Sequence, residues 1–373
     1  MDYKEEPEVV PAAQVKHQVS RHPEKKMIGL APDPSNFFRL GSKIDQKKLK
    51  ELAYRSILSV NQFDKSHLQE VFKLSAAIQK EAPQVNQILS DKILAAAFFE
   101  PSTRTRLSFE SAMLRLGGKN ITVTLAKTTG VAKGESMRDI GQMFNGYADA
   151  VVMRHTEQRA LNEISEYLRI PMINGGIGSD EHPTQALADW FALAKWRPEL
   201  LFGTSIQESE KLHLGIVGTP GNMRTVKSFI LLALTFAPSI KKITLISDLA
   251  DPMGKEVSEY VEKSSVKIET CMDLHEVVQD LDVIYMNSIA FLGDGYQTLG
   301  SRYQVNSKTN FKKGAVVLHP LVRLDELDSS LDDTPYNLYF NQANGAVFIR
   351  QALLACLFDR VSEVIQELPE EYQ

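Results

Sequence analysis

The sequence predicts an α/β protein of two domains, each with a parallel sheet, joined by bridging helices. Three observations lead there. From Ser56 onward, short continuous apolar runs alternate with stretches of helical period, the pattern of buried parallel strands and their crossover helices. The alternation is interrupted by a long helix starting at about residue 184 and begins afresh near Leu212. At 373 residues the chain is also too long for one simple core.

Residues 1–50 are rich in Pro, Lys, Glu and Gln and have little periodicity, so a flexible tail is expected, with a partner-binding arm as the alternative. "HLQEVFKLSAAIQKEA" (67–82) has apolar residues at helical spacing, and "KILAAAFF" (92–99) reads as a buried strand. "RLSFESAMLRLGG" (106–118) is an amphipathic helix stopped by two glycines. "NITVTL" (120–125) alternates like a strand, "SMRDIGQMFNGYA" (136–148) is helical, and "DAVVMRH" (149–155) and "IPMINGG" (170–176) are further strands. The helix in "HPTQALADWFALAKW" (182–196) bridges the halves. The second series runs "LHLGIVG" (212–218), a helix from about Met223, "KKITLISD" (241–248), a helix near 252–263, "VKIET" (266–270), "LDVIYMN" (281–287) and "GAVVLHP" (314–320). "QALLACLFDRVSEVIQEL" is expected to form one amphipathic helix. The first domain is placed at 51–184, completed by a C-terminal helix over 345–373, and the second at 185–344. No internal sequence repeat is visible.

Composition narrows the partners. Apolar residues make up 43% and charged residues 24%, ordinary for a globular protein. A net charge of −5 gives no electrostatic case for nucleic acid or an anionic membrane. No apolar run reaches transmembrane length and "MDYKEEPEVV" has no signal-peptide pattern, so a cytoplasmic protein is expected. Cys271 and Cys356 read as reduced core or boundary residues, and the eight histidines show no metal-ligand spacing.

Ligands of open α/β sheets sit at the carboxyl ends of strands. Four polar segments fall at such ends: "EPSTRTR" after 92–99, "MRH" after 149–152, "GSDEHPTQ" after 171–174 and "HPLVR" after 315–318. In "PSTRTR" (101–106), hydroxyls and guanidinium groups meet the start of a helix, an arrangement suited to a phosphate-like anion. Ser102 and Thr103 could equally cap that helix. No G-x-x-x-x-G-K-[ST] loop occurs, and the glycines of "GTPGNMRT" (218–225) are wrongly spaced for a dinucleotide turn. There is no nucleophile elbow.

"FFEPSTRTRLSFE" resembles the carbamoyl-phosphate signature of the aspartate and ornithine carbamoyltransferases. The resemblance runs from about Ile57 to Cys356. "KGES" (133–136), "VVMRH" (151–155), "HPTQALAD" (182–189), "MRTVKS" (223–228) and "HPL" (319–321) follow in the family's order. "HPTQ" and "HPL" point to the aspartate branch. The resemblance implies that Ser102, Thr103, Arg104 and Thr105 hold phosphate and that Arg154 reaches phosphate and carbonyl oxygens. It implies that His182 and Thr105 donate to the carbonyl oxygen, and that Gln185 and the backbone carbonyl of Leu321 bind the carbamoyl NH₂. His182 could otherwise simply cap its helix. Thr129 and Lys133 correspond to a loop lent by a neighbouring subunit of a homotrimer, where the plain alternative for Lys133 is a solvated surface lysine. A higher assembly or a regulatory subunit is possible in such a family. No metal or organic cofactor is implied, because phosphate is already a good leaving group.

The acceptor half departs from the family. Arg224 matches an arginine that grips an acceptor carboxylate. In "NSIAF", Ser288 and Ala290 stand where an arginine and a glutamine are expected. Arg302 and Arg323 are candidate substitutes. Val322 replaces a proline, so the cis bond implied there has no proline to favour it. Three readings follow: a divergent aspartate carbamoyltransferase serving pyrimidine synthesis, a carbamoyltransferase for another amine with one carboxylate, and an inactive anion-binding or scaffold homologue.

Overall fold

A computed structural model describes residues 28–40, 43–81, 85–124, 130–202, 206–287 and 300–372. It contains two parallel sheets with helices on their faces and packed between them. The first sheet has β1 (Ile93–Phe98), β2 (Lys119–Thr124), β3 (Ala150–Arg154) and β4 (Met172–Asn174), in the order β2-β1-β3-β4. The second has β5 (Leu212–Val217), β6 (Ile240–Ile246), β7 (Ile268–Cys271), β8 (Val283–Tyr285) and β9 (Val316–Leu318), in the order β7-β6-β5-β8-β9. Strand order reverses between β1 and β3 and again between β5 and β8, which leaves a crevice at the carboxyl end of each sheet. β1, β3 and β5 are buried almost throughout, as their unbroken apolar runs require.

The helices are α1 (Gln46–Lys50), α2 (Lys65–Glu81), α3 (Thr103–Arg115), α4 (Met137–Tyr147), α5 (Arg159–Ser165), α6 (Pro183–Trp196), α7 (Glu199–Phe202), α8 (Arg224–Thr235), α9 (Gly254–Glu262), α10 (Tyr339–Leu357) and α11 (Val361–Gln366). Local chemistry sets several ends. The Ser136 hydroxyl caps α4 by accepting from Asp139 N at 3.1 Å. Pro183 occupies the first turn of α6, where its missing N–H costs nothing. Gly117, with φ +84°, ends α3 where a Cβ would lie 2.5 Å from the Asn86 carbonyl oxygen.

α6 joins the two halves through adjacent side chains. Trp190 stacks on Phe229 and Phe236 of the second half, with ring centroids 5.4 and 5.1 Å apart. Phe191 turns the other way, onto Phe37 and Phe72 at 5.9 and 5.8 Å. This continuous aromatic packing is the physical content of the bridging helix.

Three sequence expectations are corrected. Residues 28–40 and 43–50 are not a loose tail: Phe37 is fully buried against Phe191 and Phe202, Leu30 N donates to Asn337 O at 2.8 Å, and Leu49 is fully buried. Residues 1–27 lie outside the described part. The C-terminal segment is two helices, because Asp359 adopts a left-handed φ of 54° between α10 and α11. α3 begins at Thr103, with Ser102 extended just before it, so "TRTR" forms its first turn. Among the described residues no helix is long and apolar enough to cross a membrane.

Lys195 of α6 is a buried charge that the fold tolerates at a cost. Its amine is fully enclosed, 3.3 Å from Gln79 Oε1 and 4.6 Å from the Phe191 ring centroid, and burial pushes it down from 10.5 to about 7. The unfolded chain therefore binds the extra proton between these two values. Stability conferred at high pH is lost as pH falls from about 10.5 toward 7. Lys195→Met should raise unfolding free energy at pH 7 by on the order of 1–4 kcal/mol and flatten this dependence. Urea denaturation at pH 7 and pH 9.5 measures both effects; a variant less stable at pH 7 would refute the assignment.

Candidate active site

A cavity of about 1030 Å³ lies between the carboxyl ends of the two sheets. Its walls come from the segments after β1 (Glu100–Thr105), at the end of β3 (Arg154), after β4 (Gly178–Gln185), after β5 (Asn222–Thr225), after β8 (Asn287) and after β9 (His319–Val322), with α10 closing one side. Ser102, Thr103, Arg104, Thr105, Arg154, His182, Gln185, Arg224 and Leu321 all line it. Their convergence follows from the topology: each lies at or beyond the carboxyl end of a parallel strand, with Ser102–Thr105, Arg154 and Arg224 at the ends of the strands that form the switch points and His182, Gln185 and Leu321 after the edge strands β4 and β9.

The start of α3 is built to present donors. Ser102 is the residue before the first turn, yet its side chain makes no capping hydrogen bond, which removes the purely capping account of this serine. Arg104 has no ion-pair partner among the described residues. Arg106 turns away from the cavity, with Glu110 3.8 Å from it. Burial lowers the Arg104 guanidinium from its ordinary value, though it stays a cation.

Arg154 and Arg224 approach each other from different halves of the molecule, and Glu100 sits between them. Glu100 Oε1 accepts from Arg154 at 2.9 Å and from Arg224 at 3.1 Å. Burial works to raise the Glu100 carboxyl, but the Arg224 hydrogen bond and the two arginine charges outweigh it and hold it below its usual range. Gly176 makes this crowding possible. A Cβ there would lie 3.0 Å from the His182 ring, 3.1 Å from Arg154 Nη1 and 3.3 Å from Arg224 Nε.

His182 precedes α6 and, like Ser102, makes no side-chain cap. Its backbone N–H donates to Ser228 Oγ at 2.9 Å, and its Nε2 lies 3.3 Å from Thr105 Oγ1. Burial, then the Arg154, Arg224 and Arg350 charges, hold the imidazole well below 6.5, so it is neutral at ordinary pH. Arg154 Nε, His182 Nδ1 and Arg350 Nε are all buried without a hydrogen-bond partner. Three orphaned polar atoms around one cavity are the signature of a site built for a polar ligand.

Other expected residues lie elsewhere. Lys133 ends a short 3₁₀ turn (Gly130–Lys133), is exposed, and does not line this cavity. Thr129, Ser288 and Ala290 lie outside the described residues. The proposed substitutes fail: Arg323 pairs with both carboxylate oxygens of Asp332, and Arg302 is exposed outside the cavity wall. The Leu321–Val322 peptide is cis without a proline. Sequence reasoning missed Glu100, although it adjoins "PSTRTR", and Arg350, whose signal was a lone cation in the apolar stretch "VFIRQALLA". Arg350 of α10 lines the cavity, donates to Ser108 Oγ, and packs its guanidinium 4.7 Å from the Phe109 centroid. Burial pushes it down to about 9.

A two-sheet α/β fold with an arginine-rich cleft at both switch points defines an enzyme that positions a small anionic substrate against a second ligand. Comparison with known proteins specifies the class further. Residues 55–195 match the family described as "Aspartate/ornithine carbamoyltransferase, carbamoyl-P binding domain". Residues 210–357 match "Aspartate/ornithine carbamoyltransferase, Asp/Orn binding domain". The chain is 36% identical over 306 residues to the aspartate carbamoyltransferase catalytic subunit of Pyrobaculum islandicum, covering 80% of this chain and 97% of that one. It is 35% identical over 321 residues to the chloroplastic aspartate carbamoyltransferase of Arabidopsis thaliana, covering 83% and 80%. The Trypanosoma cruzi aspartate transcarbamoylase solved with carbamoyl phosphate and aspartate superposes with a TM-score of 0.72 at 29% identity, over 83% of this chain and 98% of that one. The chain belongs to the aspartate/ornithine carbamoyltransferase family, and it is a carbamoyltransferase acting on carbamoyl phosphate.

Proposed function

We propose that the enzyme transfers the carbamoyl group to the amino group of an amino acid, with aspartate as acceptor and N-carbamoyl-aspartate as product, in the service of pyrimidine synthesis. The observation that carries the reading is the convergence of Ser102–Thr105, Arg154, His182, Gln185 and Arg224 on one cavity. The α3 N-terminus with Ser102, Thr103, Arg104 and Thr105 holds the phosphate. Arg154 spans phosphate and carbonyl oxygens. His182 is neutral, so with Thr105 it polarises the carbonyl by hydrogen bonding rather than by proton transfer. Gln185 and the Leu321 carbonyl take the NH₂ hydrogens. The amine nitrogen bonds to the carbonyl carbon, the bond from carbon to the phosphate oxygen breaks, and the amine's surplus proton leaves with phosphate. Fixing both reactants in one orientation supplies much of the acceleration.

A second reading, an acceptor with a single carboxylate, rests on one observation. Among the described residues, Arg224 is the one Lys or Arg that the α/β sheet of the second half supplies to the cavity, and Glu100 and the Gly178 carbonyl already engage it. A panel of amino acids incubated with carbamoyl phosphate, with phosphate and ureido product measured together, tests both. Weak aspartate turnover that rises about tenfold or more in the Ser288→Arg, Ala290→Gln double variant favours the second reading, the scale of one charge-assisted bond. Aspartate turnover at micromolar KM in the wild type excludes it.

The reading includes a cyclic homotrimer with shared sites. The exposed Lys133, off its own chain's cavity, supports it, as do Leu107 and Leu114 of α3, which are 49% and 61% exposed beside the cavity rim. It also includes a reducing, cytoplasmic setting, supported by the free thiols of Cys271 and Cys356.

A further inference from the structure

Asp189 of α6 is fully buried and hydrogen-bonds no cation. A buried carboxylate in that position is costly unless its oxygens are satisfied by donors. Here three arrive from three elements. Gln185 Nε2, one helical turn earlier, donates at 2.7 Å, Gln342 Nε2 of α10 at 2.6 Å and the Tyr285 hydroxyl of β8 at 2.8 Å. Burial pushes the Asp189 carboxyl up to about 7 against these three hydrogen bonds and the Arg350 charge, so it is a carboxylate above that pH.

Two consequences reach the cavity. A carboxylate only accepts, so it fixes which end of the Gln185 amide faces it. The NH₂ points to Asp189, which leaves Oε1, an acceptor, for the cavity that Gln185 lines. Gln342 carries the same constraint further. With its NH₂ on Asp189, its Oε1 accepts from His319 N at 2.8 Å. The His319 ring then accepts from Leu321 N at its Nδ1, 2.7 Å away, while its Nε2 faces Glu326 at 2.9 Å. One carboxylate thus sets both acceptors assigned to the carbamoyl NH₂, the Gln185 amide oxygen and the Leu321 carbonyl.

We propose that Asp189 is a positioning residue that makes the enzyme select a carbamoyl over an acetyl group, by holding Gln185 and the His319–Leu321 segment as acceptors for the NH₂ hydrogens. This rests on the reading that Gln185 receives that NH₂. An acetyl group has CH₃ in its place and cannot donate, so it would leave the acceptors without partners.

The test uses two stable phosphonates of equal shape, phosphonoacetamide and acetonylphosphonate. Calorimetry above the Asp189 value of about 7, where the group is ionised, gives the Kd of each for the wild type, Gln185→Ala and Asp189→Asn, with inorganic phosphate Kd and melting temperature as folding controls. An asparagine at 189 can donate, which frees the Gln185 amide to turn its NH₂ to the cavity. The wild-type preference for the amide should fall about 10–100-fold in both variants, the scale of lost hydrogen bonds, while phosphate affinity stays within about twofold. If the asparagine variant does not fold, Asp189→Ser keeps a hydroxyl for Tyr285, releases Gln185 and is expected to show the same fall. A preference lost in Gln185→Ala but kept in folded Asp189 variants overturns the proposal and leaves the reading of Gln185 intact. A preference kept in Gln185→Ala overturns both.

Discussion

Arg104→Ala is expected to lose carbamoyl-phosphate binding while keeping its fold. The side chain projects from the first turn of α3 into the cavity, and no described residue pairs with it, so its removal opens no core and orphans no partner. What disappears is a preorganised cation at a helix N-terminus, where backbone N–H groups already favour an anion. Deleting one such donor costs about 10²–10³-fold in turnover. A ligand that binds only the native state raises the melting temperature by an amount that grows with the logarithm of one plus the ratio of free ligand to Kd. Carbamoyl phosphate should therefore raise the melting temperature of the wild type and leave that of the variant unmoved. Equal thermal shifts in the two proteins would remove Arg104 from the phosphate site.

The part of the cavity proposed to hold phosphate was legible as a cluster because its residues are local. Ser102 to Thr105 are consecutive, and Arg154, His182 and Gln185 stand at strand and helix ends that apolar periodicity marks. What escaped is non-local. Glu100 meets Arg154 and Arg224, which are 54 and 124 positions away, and nothing in a linear pattern announces that pairing. The Asp189 network joins residues 96 and 153 positions apart and reads, in sequence, as one acid in an apolar helix. Arg350 was hidden because α10 is buried on most sides, so no polar face reveals its charge. The misread stretches 28–40 and 43–50 are lysine-rich toward their end and have no regular apolar period, so their core residues Phe37, Ile44 and Leu49 are scattered among polar, Pro and Gly neighbours. The break at Asp359 depends on one backbone angle, while apolar residues continue on both sides of it. The acceptor half was the less legible part, since Ser288 and Ala290, which the resemblance marks as departures, lie outside the described residues.

Lys133→Ala and His182→Ala should each be nearly inactive alone and regain activity when mixed and reassembled. His182 lines the cavity of its own chain, buried and poised against Thr105. Lys133 stands on an exposed turn away from that cavity, flanked by Gly130 and Gly134, where it can serve a neighbour. In the proposed closed ring each interface would repeat head to tail, so every site would take His182 from one subunit and Lys133 from the next. Random reassembly of equal amounts pairs an intact His182 with an intact Lys133 in about one site in four, so roughly a quarter of wild-type activity should return. Unmixed parents carried through the same dissociation give the baseline, and native mass spectrometry verifies that hybrids formed. Hybrids without recovered activity would mean that each site is completed within one chain. A Lys133→Ala parent as active as wild type would make Lys133 a solvated surface residue.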